Sequence, residues 1–145
     1  MVKIEQSVVI NRPVEEVFTF LSNPENELQY RSSLLEAEQT SEGPMGVGTT
    51  FREVEKFIGK RIESTYEVTE YETNKKYSFK TISGPAPGEV SMSFESVEGG
   101  TKVSFAMDFE IGGLFKLAKP VVIRMTKKQV DDEVSNLKDL LEAQG

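Results

Sequence analysis

From Ser33 to Ile111 every segment of the chain alternates apolar and polar residues, interrupted only by short glycine-, asparagine- or proline-bearing connections. After Pro120 the period changes to that of a helix running to Ala143. A period of two sends successive side chains to opposite faces of a strand, and a period of 3.6 lays an apolar stripe along a helix. The chain is thereby committed to an α+β arrangement: an antiparallel meander with one polar and one oily face, and a long terminal helix.

The stretch FREVEKFIGKRIESTYEV, Phe51 to Val68, shows how turn chemistry assigns the faces. Reading Gly59-Lys60 as a two-residue type II′ loop predicts the facing pairs Ile58/Arg61, Phe57/Ile62, Lys56/Glu63, Glu55/Ser64, Val54/Thr65, Glu53/Tyr66, Arg52/Glu67 and Phe51/Val68. Opposite charges at Lys56/Glu63 and Arg52/Glu67 make theirs the solvated face. The other face carries Phe51, Phe57, Ile62, Tyr66 and Val68, and with them two carboxylates, Glu53 and Glu55. The same logic at Gly99-Gly100 pairs Phe94 with Phe105, Met92 with Met107 and Val90 with Phe109, between strands Val90–Val97 and Lys102–Ile111. A turn at ETNK, Glu72 to Lys75, brings Tyr77, Phe79 and Thr81 to the side of Tyr66 and Val68.

Before the meander, Val2, Ile4, Val8 and Ile10 alternate with Lys3, Glu5 and Ser7 in a first strand. Pro13 opens a helix at the tolerated N1 position, with Val14, Val17, Phe18 and Leu21 as its apolar stripe and Glu15 and Glu16 near its positive end. Asn23 caps a short second helix, PENELQY. A strand from Leu34 to Thr40 and the connection SEGPMGVG lead into the hairpin. At the far end, a turn through GGLFKLA precedes the main helix, whose inward stripe is Val122, Thr126, Val130, Val134, Leu137 and Leu141. Val121 and Met125 point the other way, as do Leu114, Leu117 and Ala118 when the phase is carried back. This amino half is apolar nearly all round, and such a segment is buried on several sides or covers a ligand or partner.

Composition excludes whole classes of chemistry. With no cysteine and no histidine there is no disulfide, thiol nucleophile, imidazole base or zinc site of the usual kind, and acid–base work falls to Glu, Asp, Lys or Tyr. A net charge of −7 argues against nucleic-acid binding, which needs a clustered basic face. No apolar run is long enough to span a bilayer, and MVKIEQ lacks the apolar core of a signal peptide, so the expectation is a cytoplasmic protein with no integral membrane segment. At 145 residues, a single domain over 1–145 is expected.

The order of elements, together with VVINRPVEEVFTFLSNPEN and the C-terminal GGLFKLAKPVVIRMTKKQVDDEVSNLKDLLEAQG, resembles the polyketide cyclase/dehydrase and lipid-transport superfamily, the START-like (SRPBCC) group. The pattern covers the whole chain. Its elements include an I-x-x-P-x-x-x-V-aromatic-x-x-L helix, a glycine-rich turn before the third strand, the YEVTEYE strand end and a glycine pair before the last helix. The resemblance implies the helix-grip fold: a seven-stranded antiparallel sheet wrapped around the C-terminal helix, with two short helices between strands 1 and 2. It also implies a cavity between sheet and helix for a lipid, polyketide or other small apolar molecule. It supplies no universal catalytic motif, and it implies neither cofactor nor metal.

Against that implied cavity the residues gain candidate roles. On the predicted register Glu53 approaches Tyr66 and Glu55 approaches Ser64, and desolvation of a carboxyl beside a hydroxyl makes either glutamate a general base or a ligand anchor. The alternative is an open mouth where both reach water, or a bulge that breaks the register. Glu53, Glu55 and Tyr66 are thus the candidate catalytic groups. The candidate ligand-contacting set is Phe51, Glu53, Glu55, Phe57, Ser64, Tyr66, Tyr77, Phe79, Met92, Phe94, Phe105, Met107, Val122 and Met125. The aromatic and methionine members of that set, with Phe109, serve equally as plain core. Lys116, Lys119, Arg124, Lys127 and Lys128 form a basic cluster that either attracts an anionic group or is a solvated face balanced by Asp131, Asp132 and Glu133. Three functions follow: a carrier or binder of a small hydrophobic ligand, a cyclase or dehydratase using Glu/Tyr acid–base chemistry, or an interaction module, the chain being a monomer or a homodimer.

Overall fold

In the computed structural model the alternation forms seven strands: β1 (Val2–Ile10), β2 (Leu34–Gln39), β3 (Thr50–Phe57), β4 (Lys60–Glu72), β5 (Lys76–Ser83), β6 (Gly88–Val97) and β7 (Gly100–Phe109). Residues 2–57, 59–111 and 113–144 are described, with side chains for all of these except 113–115. The expected Ile58/Arg61 pair and the orientation of Leu114 lie outside the described residues. All pairings are antiparallel, in the order β1-β7-β6-β5-β4-β3-β2, so β1 and β2 are the two edges.

Both glycine turns sit one residue earlier than the sequence suggests. Phe57 pairs with Lys60 and Val97 with Gly100, so each glycine takes the second position of its loop, with φ of +74° at Gly59 and +90° at Gly99. A positive φ at the second position is where glycine is nearly obligatory. The registers slip by two residues: Glu53 faces Ser64, Glu55 faces Ile62, Phe51 faces Tyr66, Phe94 faces Val103 and Met92 faces Phe105. Because the slip is even, every side chain stays on its expected face. The expected charge pairs change, and Arg52, opposite Thr65, instead bridges Glu63, Glu38 at 3.0 Å and Glu36 at 3.3 Å.

Two helices complete the chain, α1 (Val14–Leu21) and α2 (Lys119–Ala143), with 3-10 turns at Pro24–Gln29 and Gly113–Ala118. Pro13 caps α1 instead of occupying its first turn, and the Asn23 side chain accepts from the Glu25 amide as expected of a cap. Val17, Phe18 and Leu21 of α1, and Leu137 and Leu141 of α2, enter one core with Ile10, Phe51, Val68, Tyr77 and Val103. Its rings meet mainly edge to face, Phe18 with Phe94 at 5.0 Å and Tyr66 with Phe79 at 5.3 Å between centroids.

α2 is held from both edges of the sheet. On the β1 side the Gln6 side-chain amide donates to Asp131 at 2.6 Å, and the Lys138 ammonium donates to the Val9 carbonyl at 2.6 Å. On the other side, just ahead of β2, Asn136 donates to the Tyr30 carbonyl and Gln129 bonds the Ser33 hydroxyl. The curled sheet thus closes on its helix as a grip. Where β7 leaves its turn, Gly100 has φ +137° and a Cβ there would stand 2.0 Å from the Ile10 carbonyl oxygen. Gly100→Ala is therefore expected to lower stability by at least about 2 kcal/mol by prising β7 from β1, read as a urea midpoint shift. An unchanged midpoint would contradict this packing.

Candidate functional site

The inner face of β3 carries Glu53 and Glu55 for the reason parity dictates, and the physical question becomes what neutralises them. The answer is Arg31, the residue after the cap of the first 3-10 turn. Its Nη1 donates to Glu27 at 2.9 Å and to Glu53 at 3.1 Å, its Nη2 to Glu55 at 3.2 Å and its Nε to Glu133 at 3.2 Å. One guanidinium therefore joins the 3-10 turn, two positions of β3 and the middle of α2. A guanidinium has five N–H donors in a rigid fork, and no other side chain could serve four carboxylates at once.

One positive charge cannot balance four negative ones, and burial makes charge on these carboxyls costly. The Glu27 carboxyl is pushed well above the usual range, first by burial, then by the charge of Glu53 and a hydrogen bond with it, against the pull of Arg31. Burial also raises Glu55 and Glu133, with Arg31 again opposing. The Arg31 guanidinium loses by burial but gains more from Glu53, Glu27, Glu133 and Glu55, and remains charged. Glu53 Oε2 and the Tyr77 hydroxyl are buried and make no hydrogen bond among the described residues.

Beside this cluster, between the sheet and α2, lies a cavity of about 170 Å³. Arg31, Glu55 and Glu133 close one end, with Ser64, Tyr66, Thr126 and Gln129 next to them; Phe57, Ile62, Phe79, Val90, Met107, Phe109, Ile111, Val122 and Val130 form the apolar wall. Pro85 and Ala86, exposed in the β5–β6 loop, stand at its rim, and Thr81, Gly88, Glu89 and Asp108 complete the lining on that side. Burial, then the charge of Glu53, pushes the Tyr66 hydroxyl well above its ordinary range, so it acts as a hydrogen-bond donor and not as a phenolate.

Of the residues singled out from the sequence, Glu55, Phe57, Ser64, Tyr66, Phe79, Met107 and Val122 line this cavity. Phe51, Tyr77, Met92 and Phe94 are instead sealed in the core, and Phe105 packs against that core. Glu53, 5% exposed, is turned to Arg31 and does not border the cavity. Met125 is 40% exposed on the outer side of α2. Sequence reasoning missed Arg31 and Glu27 and placed Glu133 on a solvated face. Two inward acids on one strand demanded a buried cation, and Glu27 and Arg31 are spaced as i, i+4 partners. The phase of α2 also puts Glu133 seven residues, two full turns, beyond inward-facing Thr126. Among the described residues no cluster of carboxylates is arranged to hold a metal ion; these four converge on the guanidinium.

A curled antiparallel sheet closed on a terminal helix, with a hollow between them, defines a helix-grip protein. In sequence, residues 1–142 match the polyketide cyclase / dehydrase and lipid transport family, and the chain belongs to it. Among solved structures, TTHA0849 from Thermus thermophilus is similar with a TM-score of 0.85 at 20% identity over 99% of both chains. The Zhui aromatase/cyclase from Streptomyces sp. R1128 is similar with a TM-score of 0.81 at 12% identity, over 97% of this chain and 93% of that one. DR_A0006 from Deinococcus radiodurans has a TM-score of 0.74 at 13% identity over the whole of both chains. No curated protein matches by sequence.

The raised carboxyls set the sign of the pH dependence. Glu27, Glu55 and Glu133 hold protons above 4.5 in the folded state that the unfolded chain gives up there. Their contribution is full below pH 4.5 and is lost as pH rises through the raised values, at up to about 1.4 kcal/mol per pH unit for each proton. The half-buried surface carboxylates Glu36, Glu70 and Glu142, lowered chiefly by Arg61, Lys76 and Lys138, act in the opposite sense, losing their part as pH falls below 4.5. Urea unfolding should show greatest stability just above pH 4.5, declining toward neutrality. Arg31→Met, which strands the carboxylates, should cost about 3–5 kcal/mol at neutral pH and distinctly less at pH 5; a loss equal at both pH values would refute the clamp.

Proposed function

We propose that the chain binds a small, largely apolar molecule between the sheet and α2, its polar end turned toward Glu55, Glu133 and Tyr66. The observation that carries this reading is the cavity, a largely apolar chamber into which Glu55, Glu133 and Tyr66 bring polar groups beside Arg31. Membership of a lipid-transport and cyclase family supports the same reading. Size restricts the guest. A hollow of about 150 Å³ suffices for benzene, whereas sites for drug-sized ligands run from about 300 Å³. At about 170 Å³ the chamber takes one ring or a short chain, and any longer molecule extends past the rim at Pro85 and Ala86.

A panel of short-chain lipids, phenols and aromatic polyketide fragments, scored by thermal shift, tests the reading. A binder at a hundred times its Kd stabilises by about 2.7 kcal/mol. Val122→Phe, which fills the chamber from the helix side, should abolish the shift. Absence of any shift across the panel, or a shift that Val122→Phe leaves intact, would sink the reading.

A cyclase-type reaction is the second reading, favoured by a raised Glu55 carboxyl and a neutral Tyr66 that both line the same chamber. The neighbour named as an aromatase/cyclase is in keeping with it. Glu55 would remove a proton α to a carbonyl, and Tyr66 would donate to the oxyanion that develops. Glu55→Gln should then retain the guest-induced shift but lose turnover of a poly-β-keto substrate; turnover equal to that of the wild type would exclude Glu55 as the base.

A further inference from the structure

The first three turns of α2 and the 3-10 turn before them have a second side. Leu117 is fully exposed, and Val121 and Met125 remain 46% and 40% exposed. On a helix of 100° per residue Val121, Arg124, Met125 and Lys128 share one solvent-facing arc about 100° wide. Five of the chain's 17 cations, Lys116, Lys119, Arg124, Lys127 and Lys128, fall in this stretch with no acid among them, in a protein of net charge −7. Lys128 is paired with Asp132 at 3.0 Å; among the described residues Lys116, Lys119, Arg124 and Lys127 make no salt bridge. The inner side of the same turns, at Val122 and Thr126, lines the cavity.

We propose that this face, Leu117, Val121 and Met125 flanked by the basic cluster, docks on an anionic lipid bilayer. Scattered exposed apolar residues are ordinary, but an apolar arc edged by Lys and Arg is the composition of a helix that lies in a membrane interface. Anionic headgroups meet the cations and the acyl boundary takes the three apolar side chains. The charge asymmetry turns this end of an otherwise acidic molecule toward a negative surface. A second copy is a poor occupant, because a two-fold interface sets a patch against itself and would place the cations on cations. The choice of a bilayer over an acidic protein rests on the cavity being a site for an apolar guest, which is exchanged most directly with an apolar phase.

Co-sedimentation of the full chain with vesicles is the test. Binding is expected to phosphatidylcholine vesicles containing phosphatidylglycerol and not to phosphatidylcholine alone. It should be lost at about 1 M salt, where the screening length falls to about 3 Å. Lys119→Glu/Arg124→Glu and Val121→Asp/Met125→Asp should each weaken it by about tenfold or more while leaving circular dichroism and the melting temperature unchanged, since all four side chains are exposed. No binding to the anionic vesicles, equal binding to neutral ones, or wild-type binding by both variants would overturn the proposal. So would light scattering that shows a dimer dissociated by Val121→Asp/Met125→Asp. Guest-induced thermal shifts measured on the same variants without vesicles separate the two readings: shifts that persist when vesicle binding is absent leave the chamber standing while the docking face falls, and the converse removes the chamber alone.

Discussion

A single guanidinium decides how this fold closes. Arg31 is the only contact described that gathers the 3-10 turn, β3 and α2 at one point, and it does so through four acidic side chains. The arrangement costs desolvation of every charge in it, and a buried pair of this kind is weak evidence for net stability. What it supplies is position. The helix is fixed to β3 by charge through Arg31, and against the β1 edge by Gln6 and Lys138. The hollow is therefore spanned at two borders and need not be filled for the sheet to keep its curl.

How far the sequence disclosed this depended on which physical signal carried each feature. Alternation with a period of two is insensitive to small errors: moving each glycine turn by one residue shifts the register by two, so Glu53, Glu55, Tyr66 and Phe94 keep their expected faces although their partners change. Helical phase likewise placed Val122 inside and Met125 outside. What alternation cannot convey is distance between elements remote in the chain. Arg31 lies in no periodic segment, and its partners are separated from it by up to 102 residues, so nothing local marks it as the counter-ion. Glu133 was hidden differently, among Asp131 and Asp132, whose exposure suggested a common solvated face. The division of the aromatic set into sealed core and cavity wall followed from the curl of the sheet, which no residue-level pattern specifies.

The two sides of α2 differ in chemistry. Val122, Thr126, Gln129 and Glu133 turn inward to wall and polar end, while Val121 and Met125, one residue before Val122 and Thr126, turn out among cations. A helix thus separates the chamber from the surface by its own thickness. Family membership fixes the architecture and leaves open which molecule occupies it; the chamber's modest volume and its acid-rich end narrow that choice more than the fold does.

The chain has no tryptophan and four tyrosines, at 30, 66, 71 and 77. Tyr66 walls the chamber, Tyr77 crosses Tyr71 at 6.3 Å in the adjoining ring network, and Tyr30 is buried next to the arginine that seals the polar end. Tyrosine emission from this molecule therefore originates in rings that surround its interior, and the architecture carries its own optical gauge of the chamber.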